Sequence, residues 1–563
     1  MNAANEADIQ ESGRKKPGKD LFKKISPNDR LRFAILFSVI LCCFTRLICV
    51  MRIRPQGAAY LFTSFDLLIF AMVLLPLGAS EALCALIRRR REIGFLKNAK
   101  RIYVSAFFHI LGYVVIVALI WGLGARAFSE DFLMGKAGYT TLLWMLPVFT
   151  ADAFIFLLRG YSDGHYHGRH SVYIILIRQL VLFLLTIIFA GRDSASGLQV
   201  GKLLRNEEVQ YIYGASAIIR ILGICSIAAL VVFLAALMSG HHERSLKRNR
   251  DNNRKHESPT GQFYSATFPI TAAVVSFMSF HFVSMLCFGK IYREERSMLQ
   301  SYIWGMYSGI YQTLCLLPFM LIFFLLFNTY KKYSGNMSRE EKGEFRIRCM
   351  NLSGETTIIC FFFTASYLAM APQILKGMFA LDSALGRRLV WFGMIPFILC
   401  CFALNTSMQL LTIGSVKRLV IHCLIALIPA AGFMLFMPAM NISDIGIYSL
   451  IVAGSIYYLL VTLLNYLHLI KFLHYNIDIL RVILAPAGCA FVPGLVVFLL
   501  GLLFSLFMPD LLSVIICFLL YLFAHFFAIC RTGLITVYSL RRIPLGRYIA
   551  KLGRKLHFLG DEK

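Results

Sequence analysis

Charge is scarce in this sequence. Only 15% of its 563 residues are Asp, Glu, Lys or Arg, against 58% hydrophobic, and the mean hydropathy is +0.68. A soluble core has no use for that much apolar surface. Acid is scarcer still, with 30 Asp and Glu against 57 Lys and Arg and a formal net charge of +27. Chemical motifs are missing too. No Walker A loop, no DxD-like metal site beside a glycosyl pocket and no GxSxG is present, and the sequence offers no ATPase. No CxxC occurs and no Cys/His cluster has zinc spacing, so neither a metal nor another cofactor is expected. His474 and Asp478 form an HxxxD, a spacing used by some acyltransferases, but no nucleophile or acceptor motif supports it. The chain reads as a non-enzyme.

What is present is a series of apolar runs, each near the roughly 20 residues that cross a bilayer. Fourteen spans are expected, at 32–51, 59–79, 102–123, 139–159, 171–190, 212–238, 263–288, 301–327, 352–372, 388–412, 415–437, 445–470, 482–507 and 511–530. The fold class is all-α and polytopic, because hydrocarbon satisfies no backbone polar group and leaves helices as the economical crossing. Most of the 15 cysteines lie inside these runs, among them Cys42, Cys43, Cys225, Cys400 and Cys401, as small packing residues. The N-terminal stretch is polar, then basic, and runs into a full-length span, so no cleavable signal peptide is expected.

In a soluble protein the basic balance would suggest nucleic acid; here Lys and Arg sit mostly in alternate loops, so no nucleic-acid partner is expected. Arg88–Arg91, the run HHERSLKRNRDNNRKHE, Lys331, Lys332, Lys417, Arg418 and Lys471 fall on one side, with both termini. The opposite loops, SEDFLMGK, GRDSASGLQVGKLLRNEE, YREERS and MNISD, are short or mixed in sign. Positive-inside alternation makes both termini cytoplasmic, and the excess of basic residues favours anionic lipids. The expected organisation is a basic N-terminus (1–31), an N-terminal six-helix lobe (32–238), a basic linker (239–262) and a C-terminal six-helix lobe (263–470). Two further helices (471–530) and a basic amphipathic tail (531–563) complete it. The lobes are pseudo-symmetric: Gly57 and Tyr60 open the second span, Gly305 and Tyr307 the eighth. Paired halves around a central cavity are a recurring transporter plan.

Charged groups inside hydrocarbon are costly and mark sites or internal partners. Arg46 lies in the first span, followed by Arg52 and Arg54; guanidinium forks suit a phosphate or diphosphate. Their alternative roles are snorkelling for Arg52 and Arg54 and a pair with Asp66 for Arg46. Asp66 and Asp152 are either cation or proton sites or counter-ions for Arg46, Arg178 or Arg220, with an ion pair favoured for Asp152. Trp304, Tyr307, Ser308, Tyr311, Gln312 and Cys315 recur at helical spacing and give the eighth span one polar-aromatic face. His109, His281, His422, His468 and His525 occur singly and read as packing residues. The candidate substrate-binding set is therefore Arg46, Arg52, Arg54, Asp66, Arg178, Arg220, Trp304, Tyr307, Tyr311 and Gln312.

Several stretches resemble one family. PQGAAYLFTSFDLLIFAMVLLPLGASEALCALI is similar to the GxGxYxL…LxxxGLPxAISKLV segment of polysaccharide exporters in the multidrug/oligosaccharidyl-lipid/polysaccharide (MOP) superfamily. LLRGYSDGHYHGRHSVYIILIRQLVLFLLTIIF resembles that family's RGYFQGxxxMxPTAxSQVxEQxxRVxxxL, and FPITAAVVSF and IGIYSLIVAGSIYYLLVTLLNYLHL fit its later pattern. The likeness is greatest to sporulation-protein-B-like and lipid II flippase-like members, with Arg46, Arg159, Gly160 and Tyr161 at matching positions. Departures include Glu81 with no following Ser-Lys, and histidines where a proline is usual. The resemblance implies two lobes alternating access to a cationic cavity, and flipping of an undecaprenyl-diphosphate-linked saccharide across a bacterial inner membrane. Envelope polysaccharide synthesis proteins are the partners it implies. The rival readings are a cation-coupled exporter of the same fold, a membrane acyl- or glycosyltransferase, and a non-transporting scaffold.

Overall fold

The computed structural model describes residues 27–130, 138–166, 169–239, 258–292, 297–330, 339–439, 446–474 and 477–534. The extreme N-terminus, most of the basic linker and the amphipathic tail lie outside the described residues. Among those described, thirteen helices are long and apolar enough to cross a membrane. The first continuous stretch, Arg30–Glu92, has 63 residues. At 1.5 Å per residue that is ~95 Å of helix, about three hydrocarbon thicknesses, so it crosses more than once.

The break lies at Arg54, whose φ of 61° and ψ of 172° are non-helical inside α1 (Pro27–Leu74). Pro55 follows; it lacks an N–H and disfavours α geometry in the residue before it. The reversal is visible in a side-chain contact: the Arg46 guanidinium carbon lies 3.9 Å from the Phe62 ring centre. Residues that far apart in sequence would be separated by ~24 Å in an unbroken helix. Helix α1 is thus a hairpin of two crossings, α1a before Arg54 and α1b after it. This accounts for the fourteen expected.

The chain continues through α2 (Pro76–Glu92), α3 (Leu96–Phe128), α4 (Tyr139–Tyr166), α5 (Arg169–Leu204) and α6 (Glu208–Ser239). After the linker come α7 (Pro259–Ile291), α8 (Ser297–Trp304), a π-helical segment (Gly305–Tyr311) and α9 (Gln312–Tyr330). Then follow α10 (Arg339–Phe379), α11 (Ala384–Thr412), α12 (Val416–Ala439) and α13 (Tyr448–Leu473). The last two, α14 (Ala485–Phe504) and α15 (Asp510–Arg531), pack on α10 and on each other. Helix α5 continues to Leu204, well past the expected span end at 190, so much of the stretch read as an external loop is helix. Gly197 and Gly201 make this possible: a Cβ at either would collide with Tyr213 and Gln210 or with the Asn206 carbonyl, so α6 and the turn before it lie directly against α5.

Two seams join the helices before the linker to those after it. Along the first, Asp66 meets His281, Phe70 meets Phe282, Gly78 meets Thr271 and Arg90 meets Gln262. From Asp66–His281 through Gly78–Thr271 to Arg90–Gln262 one set of numbers rises as the other falls, as antiparallel helices lying side by side require, and Phe70–Phe282 packs beside the first of these contacts. Ser105 and Thr260, with hydroxyl oxygens 3.0 Å apart, continue this seam onto α3. Along the second, the hairpin packs on the π segment. Gly305 lies on the Pro55 carbonyl and Gly309 on Ala58, so close that a Cβ on either would overlap them. Small residues at such crossings let backbones approach where no hydrophobic drive separates helix from lipid.

Gly305→Val is therefore expected to destabilise the protein by about 1–3 kcal/mol or more, through overpacking against backbone. Gly124, whose Cβ would meet nothing within 4 Å, is the control; Gly124→Ala should leave thermal unfolding in detergent unchanged or slightly raised. Equal melting temperatures for the two variants would contradict the close packing.

Candidate functional site

Between the two seams lies a cavity of about 240 Å³. Arg46 and Asp66 enter it from α1, Phe277 and His281 from α7, Tyr307 and Tyr311 from the π segment, and Gln312 and Cys315 from α9. Cys400 on α11 and Tyr458 on α13 complete the wall. Each side of the linker thus contributes polar groups to one chamber.

Arg46 is held by the part of the chain it faces. Its Nε donates to Thr313 Oγ1 at 2.9 Å and its Nη2 to the Ser308 carbonyl at 2.7 Å, while Phe62 covers its face. The carbonyl is available because of the π segment. The Gln312 N–H bonds back to the Tyr307 carbonyl, and when α spacing resumes the ladder passes over Ser308. In a membrane interior an unsatisfied carbonyl costs several kcal/mol, and a guanidinium is a strong donor for it. These two bonds use two of the five N–H donors of the arginine.

Asp66, buried at 3% exposure, reaches across the first seam. Its Oδ1 lies 3.0 Å from His281 Nε2, and its Oδ2 has no hydrogen-bond partner. The other imidazole nitrogen, Nδ1, is 3.5 Å from Gln312 Nε2. An amide nitrogen only donates, so in this arrangement Nδ1 accepts and Nε2 carries the proton given to Asp66.

The aromatic wall is a ladder of rings. Phe288 to Trp304, Trp304 to Tyr307 and Tyr307 to Tyr311 have ring centres 4.7, 5.5 and 5.5 Å apart. The Tyr311 hydroxyl donates to the Gly393 carbonyl at 2.6 Å, and the missing side chain of Gly393 leaves room for the ring. The single helical face expected for this span is split, because the π segment adds residues to its turn. Trp304 turns away and donates from Nε1 to Thr63 Oγ1 at 3.0 Å, while Tyr307, Tyr311, Gln312 and Cys315 keep to the cavity.

Of the candidate set, Arg46, Asp66, Tyr307, Tyr311 and Gln312 line the chamber. Arg178 lies elsewhere: its Nη2 is 2.9 Å from Asp152 Oδ1 and 2.6 Å from Ser226 Oγ, the internal ion pair expected for Asp152. Arg220 stands on an exposed face, 5.7 Å from the Trp144 ring centre. Arg54 forms the hairpin turn, and Arg52 sits beside a separate recess lined by Met378, Phe379 and Ala380. Arg46 does not pair with Asp66; Thr313 and Ser308 hold the one, His281 the other. The chamber therefore contains one arginine rather than several. The histidine that sequence reading set aside as packing, His281, is a member of the site. Its span carries Ser276, Ser279 and Ser284 as well, but Ser279 and Ser284 bond to carbonyls of their own helix, so polar density alone did not single it out.

No protein-family model matches the sequence, and no curated protein matches it. Solved structures do. An inward-facing multidrug resistance MATE family transporter of the MOP superfamily superposes with a TM-score of 0.59, covering 79% of this chain and 98% of its own at 14% identity. The lipid II flippase MurJ, in an inward closed conformation, gives 0.55 over 88% of this chain and 97% of its own at 13% identity. A MATE protein in complex with MaD3S gives 0.53 over 80% and 99% at 12% identity. The chain has the fold of these transporters of the MOP superfamily.

Removing one member of the buried Asp152–Arg178 pair should cost about 3–5 kcal/mol, because the other charge is left without its counter-ion. Arg178→Ala is expected to lower thermal stability far more than Arg220→Ala. Similar losses for both would show that the Asp152–Arg178 pair is not a structural element.

Proposed function

We propose that this chain is an alternating-access transporter that flips a polyprenyl-diphosphate-linked saccharide across a bacterial plasma membrane. The observation that carries the reading is Arg46, an arginine held at a chamber shared by both sets of helices, with donors beyond those its protein partners use. A diphosphate is a bidentate acceptor suited to that fork. The faces of Tyr307 and Tyr311 offer stacking surface to a sugar, while the Tyr311 hydroxyl is committed to Gly393. The lipid tail would remain in the bilayer beside the helices. The flippase superposition also extends over nine percentage points more of this chain than the first exporter's, about fifty residues, roughly the length of α14 and α15 together. Arg88–Arg91 and both termini face the cytoplasm in this reading, as positive-inside alternation asks. Proteins of envelope polysaccharide assembly would supply or receive the substrate.

One observation favours a second reading. The chamber holds a carboxylate with an unpartnered oxygen, Asp66 Oδ2, and only one arginine. That balance also suits a small cationic molecule, as in an exporter.

The test is flipping of a fluorescent polyprenyl-diphosphate saccharide in proteoliposomes. Wild type should flip it, Arg46→Lys should retain part of the rate, and Arg46→Ala should lose at least tenfold, about the 1.4 kcal/mol of one charge-assisted hydrogen bond. Uptake of a cationic dye with no lipid flipping would transfer the assignment to the exporter reading. Inactivity toward both, in folded protein, would favour a scaffold.

A further inference from the structure

Asp66 and His281 stand on opposite sides of the linker, on α1b and α7, and their contact is a carboxylate–imidazole pair across the first seam. Its neighbours along that seam are of another kind: an aromatic edge contact, a glycine on a threonine, and hydrogen bonds to an amide and a hydroxyl. We propose that Asp66 and His281 form a proton-binding latch, which takes up one proton as the two sets of helices close along this seam and releases it as they part. This rests on the alternating-access reading and names the ion that would drive it.

The chemistry follows from the partners. With the seam closed and the imidazole neutral, Nε2–H donates to Asp66 and Nδ1 accepts from Gln312. A further proton enters at Nδ1, and Gln312 turns its amide to present Oε1 to the new N–H. The pair is then imidazolium against carboxylate, at 3.0 Å, in surroundings of low dielectric. When the helices separate, His281 loses the carboxylate that stabilises its charge and the proton departs to solvent. Protonation therefore favours the closed seam, and closure is lost as pH rises through the range where the paired imidazole titrates.

Other groups around the chamber do not reverse this sign. Arg46 on α1a opposes the imidazolium, but its guanidinium is engaged by Thr313, Ser308 and Phe62, whereas Asp66 touches the ring directly. Tyr307, Tyr311 and Tyr458 are phenols, and Cys315 and Cys400 thiols, all ordinarily neutral where histidine titrates. Asp66 Oδ2, with no hydrogen-bond partner, is the second proton-accepting atom.

The experiment uses the full chain in nanodiscs, with fluorophores on non-natural residues at Ile116 in α3 and Ile428 in α12. Both positions are exposed, at 58% and 74%, and the 15 native cysteines stay unlabelled. Single-molecule energy transfer reads the ratio of near to far populations between pH 5 and 8, with the proton as the only ligand. A single linked proton changes that ratio by at most about tenfold per pH unit. In wild type the near population is expected to fall as pH rises. His281→Gln, which keeps an N–H for Asp66 but does not titrate, and Asp66→Asn should each flatten the dependence while both populations persist. A wild-type ratio that ignores pH, or a variant that keeps the wild-type slope, would overturn the latch. Because no substrate is present, a pH-dependent seam in a protein that flips no lipid would sink the substrate assignment and leave the latch standing.

Discussion

Hydrocarbon offers no hydrogen bonds, and this single fact orders the interior of the protein. Every polar atom placed at depth must find its partner in the chain, or line a space that water or substrate enters. Arg178 finds Asp152 and Ser226, Trp304 finds Thr63, and Tyr457 donates to the Ser276 carbonyl at 2.9 Å. Arg46 takes the carbonyl that the π segment leaves over. The irregularity and the charge solve each other's problem, and each would be expensive alone. Because the two lie on opposite sides of the linker, the same bond ties the first helix hairpin to the second set of helices.

The crossings were legible in the sequence because a bilayer imposes a length, and a length can be counted. Placement of Arg46 and Asp66 at a shared chamber was legible for a related reason, since charge at membrane depth needs a purpose. What the sequence concealed was partnership over long separations. Nothing local to SFHFVS says that His281 meets Asp66, and nothing local to YIILIRQ says that Arg178 turns away from the chamber toward Asp152. The π segment was equally hidden: GMYSGIY reads as ordinary helix, and only the close approach of the hairpin to Gly305 and Gly309 shows why a wider turn suits it. The cavity is consequently closer to electrical balance than a tally of intramembrane arginines suggests.

This balance bears on substrate choice. In the proposed transporter an anionic headgroup entering the chamber would meet Arg46 and also the Asp66 carboxylate, and the two differ in how they are held. Arg46 is fixed by bonds to Thr313 and Ser308, so its charge is a permanent feature of the wall. Asp66 is answered by a titratable ring, so the net charge met by an incoming headgroup depends on the protonation of His281. In the proposed cycle, fixed and adjustable charge side by side would give a site whose affinity for an anion differs between the two conformations, which is what directional transport demands.

The turn at Arg54 has a consequence for how the protein is made. One non-helical residue joins two crossings, so no length of chain is available to wait outside the membrane between them. In the proposed topology, with Arg88–Arg91 on the cytoplasmic side, Arg52 and Arg54 are carried to the far side during synthesis. On insertion scales each arginine at mid-membrane costs about 2.5–3.5 kcal/mol. That cost is met most readily if α1a and α1b enter as one folded hairpin, with their apolar surfaces lowering the charged tip through together. Entry of this hairpin into the bilayer is then already a pairing of helices, before the crossings that follow it in the chain exist to receive it.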